Sequence, residues 1–85
     1  MGEEAGQGHG ERRSLSDLKT SRVITAFRRA GWQLKSVRGG RHDVMVKSGA
    51  RCILVIPRHR RLKQGLMRKL IKDAGLTVDA FLDLY

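Results

Sequence analysis

The stretch from Trp32 to Pro57 limits the fold more than any other, because the chain there turns on glycine and its apolar residues fall into short, strand-like groups. "WQLKSVR" at 32–38 places Trp32 and Leu34 two apart, "HDVMVK" follows at 42–47 and "RCILVI" at 51–56. Gly39-Gly40 separates the first two and Ser48-Gly49 the last two, a spacing that predicts three strands joined by tight turns. Pro57 has no backbone N–H to add to a ladder, so the third strand is expected to stop there.

Helical periodicity flanks this stretch on both sides. Val23, Ile24, Phe27 and Ala30 recur on one face of a segment that Thr20 or Ser21 is placed to cap, with Arg22, Arg28 and Arg29 on the other face and Gly31 closing it. After the basic loop "PRHRRLKQ", a second helix begins near Gly65. Leu66, Met67, Leu70, Ile71 and Ala74 share one arc of it, and Arg68, Lys69 and Lys72 the opposite one. Gly75 ends it, and Thr77 caps a last short helix with Val78, Phe81, Leu82 and Tyr85 inward and Asp79 at its positive end. The order is α-β-β-β-α with a short extra helix, an α+β arrangement whose helices cover one face of an antiparallel sheet. Residues 1–13, rich in glycine and charge, are expected to be a disordered tail, and 14–85 a single domain in which Leu15 and Leu18 dock the start.

Charge points to the partner. The 85 residues carry a formal net charge of +10, and residues 28–72 hold fourteen Arg or Lys against one acid, Asp43. So dense a basic block favours an anionic partner, nucleic acid above all, although a solvated basic surface has the same composition. The single cysteine, Cys52, cannot close an internal disulfide and is expected to be a small buried apolar residue. The apolar run "ILVI" is too short to cross a membrane and no signal-peptide core is present, so the expected location is cytoplasmic.

Few residues are suited to catalysis. Asp43 stands alone, so paired-carboxylate chemistry has no second member, and no P-loop, dinucleotide fingerprint or HExxH occurs; no cofactor or metal is expected. His42 and His59 lie among arginines, in "GGRH" and "IPRHRR". RNA carries its own nucleophile, the 2′-hydroxyl, so its cleavage needs a base and cations for the phosphorane charge. An imidazole among guanidiniums supplies both, and also serves passive phosphate binding.

"AGW" at 30–32, "GRH" at 40–42, "VIPRH" at 55–59, "LKQGLMRKLIKDAGL" at 62–76 and "VDAFLDL" at 78–84 together resemble the HicA toxins of HicA–HicB toxin–antitoxin pairs, over about three-quarters of the chain. The resemblance implies a double-stranded-RNA-binding-domain-like αβββα fold, a three-stranded antiparallel sheet with helices on one face. It also implies metal-independent cleavage of mRNA, blocked by a HicB-type antitoxin, with His42 as the catalytic histidine. Arg41 stands where the family commonly has serine, and Gly65-Leu66-Met67 where it often has Gly–Thr–Leu. On this reading Arg38, Arg41, Arg58, His59, Arg60 and Lys63 bind nucleic acid, His59 being also a candidate proton donor, and Asp43 is a candidate to orient His42. The alternative is a non-catalytic RNA-binding module of the same fold, which explains charge and architecture and leaves His42 without a task.

Overall fold

The computed structural model describes residues 14–85; the expected tail at 1–13, with His9, lies outside the described residues. The elements run β1 (Leu18–Lys19), α1 (Thr20–Arg29), β2 (Gln33–Arg38), β3 (His42–Val46), β4 (Leu54–Pro57), β5 (Arg61–Leu62), α2 (Gln64–Asp73) and α3 (Val78–Leu84). Strands β2, β3 and β4 form an antiparallel sheet with β3 in the centre, while β1 and β5 pair separately as a two-stranded antiparallel ribbon. The fold is α+β, in the double-stranded-RNA-binding-domain-like arrangement expected from the sequence.

One core lies between the helices and one face of the sheet. Alternation along a strand sends every second residue to that face, so Met45, Leu54 and Ile56 join Val23, Ala26 and Phe27 of α1, Met67, Leu70 and Ile71 of α2, and Phe81 of α3. Burying each large apolar side chain contributes roughly 1.5–3 kcal/mol relative to leaving it exposed. Phe27 and Phe81 meet with ring centroids 5.0 Å apart at 47°. At the rim Arg22 lies over the Tyr85 ring, 4.0 Å from its centroid, and donates to the Tyr85 carbonyl oxygen at 2.7 Å. The Thr77 hydroxyl caps α3 by accepting from the Ala80 N–H at 3.0 Å, as its position predicts. Leu15 and Leu18 are buried in the core, as expected.

Three expectations need correction. Cys52 is exposed, because β4 begins only at Leu54 and the connection from β3 runs through residue 53; its thiol contacts the Asp73 carbonyl oxygen at 3.3 Å. The segment read as a basic loop contains β5, held by the Leu18↔Leu62 and Lys19↔Arg61 pairs. Neither Thr20 nor Ser21 caps α1: Lys19 occupies the cap position with no side-chain hydrogen bond, and Thr20 is the first helical residue.

Candidate active site

Two turns meet at one end of the sheet. Gly39 and Gly40 both have positive φ, 56° and 70°, a conformation that costs an L side chain about 1–2 kcal/mol, and they return the chain so that Arg38 pairs with His42. On the other side of β3, His42 pairs with Pro57. Just beyond that pair the Arg58 N–H donates to the Arg41 carbonyl oxygen at 2.8 Å, which holds the backbones of these two arginines together next to the ends of β3 and β4.

Residues 58–60 are fixed from a second direction. The Thr20 hydroxyl donates to the His59 carbonyl oxygen, and the Thr20 N–H donates to the Arg60 carbonyl oxygen at 3.1 Å. The β1–β5 ribbon follows immediately, and Arg61 Nη1 donates to the Asp17 carbonyl oxygen at 2.7 Å. Nothing in the sequence around Thr20 marks it as part of this region; only the β1–β5 register brings the start of α1 against His59.

Gly40, Arg41, His42, Arg58 and His59 line a cleft of about 330 Å³. His42 is half-buried at the sheet end, while Arg41, Arg58 and His59 are exposed. Among the described residues neither imidazole has a hydrogen-bond partner in the fold. Four of the residues singled out from sequence thus share one cleft. Arg38 is placed beside it by the backbone pairing with His42. Arg60 lines a neighbouring cleft and Lys63 sits at the cap position of α2; neither borders the His42 cleft.

Asp43 corrects a sequence expectation. Being next to His42 on a strand, it points to the opposite sheet face and does not reach round to orient the ring. Its side chain is 8 % exposed, and Oδ1 lies 3.3 Å from Arg58 Nε. That approach is an ion pair but is not aligned as a hydrogen bond, and Oδ1 is buried with no hydrogen-bond partner among the described residues. Asp43 therefore meets the His42 cleft through its ion pair with Arg58. No group of three or more His, Cys, Asp or Glu that could hold a metal ion occurs among the described residues, and no helix there is long and apolar enough to cross a membrane.

Fold and site together define a small basic α+β domain with an imidazole and guanidiniums gathered at one end of its sheet. The family described as HicA toxin of bacterial toxin-antitoxin matches residues 20–76. The chain belongs to this family of toxins, and the match spans α1, the whole three-stranded sheet and α2. Comparison with individually curated proteins finds no match.

Proposed function

We propose that the protein is the toxin of a HicA–HicB pair and acts as a metal-independent endoribonuclease on mRNA, with His42 as the catalytic residue. The observation that carries this reading is the shared cleft: a half-buried imidazole and an exposed one, neither tied up by the fold, between two arginines. His42 takes the proton from a ribose 2′-hydroxyl, and the oxygen attacks the adjacent phosphorus. Arg41 and Arg58 stabilise the charge that builds on the phosphorane oxygens. The bond to the 5′-oxygen of the next nucleotide breaks, and that oxygen takes a proton from His59 or from water. The products are a 2′,3′-cyclic phosphate and a 5′-hydroxyl end. Arg38, Arg60 and Lys63 bind phosphates further along the strand. A HicB-type antitoxin blocks the reaction by covering the cleft.

The chemistry is tested with an RNA that the purified protein cuts at one place, incubated in chelator with and without a single 2′-deoxy substitution at the cleaved nucleotide. Cleavage there is expected to vanish on substitution and to leave cyclic phosphate ends without it. Cleavage that survives the substitution excludes attack by the 2′-hydroxyl. Binding with no cleavage of any RNA favours the non-catalytic module.

A further inference from the structure

Between the end of β4 at Pro57 and the start of β5 at Arg61 the chain crosses from the sheet to the β1–β5 ribbon, and a hydrogen bond holds it at each step. The Arg58 N–H donates to the Arg41 carbonyl oxygen, the Thr20 N–H to the Arg60 carbonyl oxygen, and the Thr20 hydroxyl to the His59 carbonyl oxygen. The first two join backbone to backbone and do not depend on side-chain identity. The bond at His59 does. Resting on the proposed action on RNA, we infer that Thr20 is a positioning residue: its hydroxyl fixes the His59 backbone so that the His59 imidazole, facing the same cleft as His42, is the proton donor to the departing 5′-oxygen.

The first support is burial. Apart from the Trp32 indole, the buried side chains of the described residues are apolar except those of Thr20 and Asp43, residues 7 % and 6 % exposed. Burying a polar group is costly unless it is paired. Both are paired with the crossing segment, Asp43 through its ion pair with the Arg58 side chain and Thr20 through the His59 carbonyl oxygen. The second support is that the Thr20 hydroxyl does not serve its own helix. Thr20 is the first residue of α1, one place past the cap, and the cap position at Lys19 has no side-chain hydrogen bond.

The third support lies in the His59 ring. It is exposed and has no hydrogen-bond partner among the described residues, so its backbone alone decides where it stands. A general acid must come within hydrogen-bond reach of the oxygen it protonates, and a misplacement of about 1 Å lowers a rate by up to about 100-fold. The protons balance: His42 takes one from the 2′-hydroxyl as the new bond to phosphorus forms, and His59, protonated at the start, gives one up as the bond to the 5′-oxygen breaks.

The test is single-turnover cleavage of one RNA in chelator by full-length parent, Thr20→Val, Thr20→Ser, His59→Ala and the Thr20→Val, His59→Ala double variant. The rate at saturating protein and the half-saturating concentration are read separately, and urea unfolding checks each fold. Valine keeps the shape of threonine without the hydroxyl, and serine keeps the hydroxyl without the methyl. Thr20→Val and His59→Ala are each expected to lower the saturating rate at least about 10-fold, with half-saturation for Thr20→Val within about 2-fold of the parent. Thr20→Ser is expected to stay within about 3-fold of the parent rate, and Thr20→Val to cost less than about 2-fold more once His59 is alanine. A packing role alone gives the opposite order, valine filling the buried site better than serine, and losses that multiply in the double variant. That order, multiplied losses, or a His59→Ala rate equal to the parent's overturns the positioning role and leaves cleavage by His42 standing. Should Thr20→Val not fold, Thr20→Ala takes its place; if neither folds, His59→Ala decides, an unchanged rate overturning the role and a fall of about 10-fold supporting it. No cleavage by the parent overturns the nuclease reading, and the positioning role with it.

Discussion

The two ends of the β2–β3–β4 sheet both open into clefts, and both hold a buried polar atom with no hydrogen-bond partner among the described residues, yet they are built differently. At the far end, Trp32, the 47–52 turn and Asp73 to Gly75 line a cleft of about 380 Å³, slightly larger than the one at His42. Two of its side chains hold the fold: Lys47 Nζ donates to the Ala30 carbonyl oxygen at 2.9 Å, and the Cys52 thiol contacts the Asp73 carbonyl oxygen. Asp73 in turn accepts from Lys69 at 2.9 Å, and chiefly through that hydrogen bond the Lys69 ammonium has its pKa raised. At the near end His42, His59 and Arg41 are placed by backbone pairing and keep their side chains unengaged. Size does not distinguish the ends. What differs is which side chains stay unengaged among the described residues: two imidazoles and Arg41 at the near end, Ser48 and Arg51 at the far end.

The unpartnered atoms differ in kind and in their neighbours. Trp32 Nε1 is a donor on a ring 2 % exposed and packed in the core, whereas Asp43 Oδ1 is an acceptor beside an arginine 53 % exposed. Both atoms are closed to solvent; Trp32 lines the far cleft, and Asp43 is held against Arg58 by their ion pair.

The contrast is sharpened most by Arg58→Ala. Losing a charge-stabilising group and the only ion-pair partner of Asp43 among the described residues is expected to lower the cleavage rate about 100-fold. The same change is expected to lower unfolding free energy by about 1–3 kcal/mol, toward the lower figure because Arg58 is largely solvated. Single-turnover cleavage and urea unfolding measure the two separately. An unchanged rate would place the phosphate elsewhere. The smaller effect is at the far end: Trp32→Phe removes the unpartnered donor while keeping an aromatic in the core. A loss of about 1–3 kcal/mol from the cavity left in the core and an unaltered cleavage rate are expected, read by the same two measurements. A rate lowered by Trp32→Phe would break the comparison, since it would give the far end a part in function.

Much of this was legible in the residues. Periodicity placed α1, α2 and the three sheet strands, the Thr77 cap followed from one hydroxyl before an apolar run, and the glycines before His42 marked the turn that carries it. Contacts set by register were not. Cys52 reads as buried because it adjoins "ILVI", but the turn consumes residues through Ile53 before the strand begins. Two-residue strands carry no period, so β1 and β5, and with them the anchoring of His59 by Thr20, leave no local signal. Asp43 stands out in the sequence as the lone acid of the basic region, yet its burial and its ion pair depend on which face of β3 it takes and on β4 bringing Arg58 alongside, and neither is encoded within a short window.

On the proposed function the His42 ring does chemistry and not only binding. Single-turnover cleavage of one RNA in chelator by the parent and by His42→Ala, with RNA affinity measured alongside, tests it most directly. The rate is predicted to fall at least about 100-fold while affinity is retained. Equal cleavage by the two proteins would contradict it.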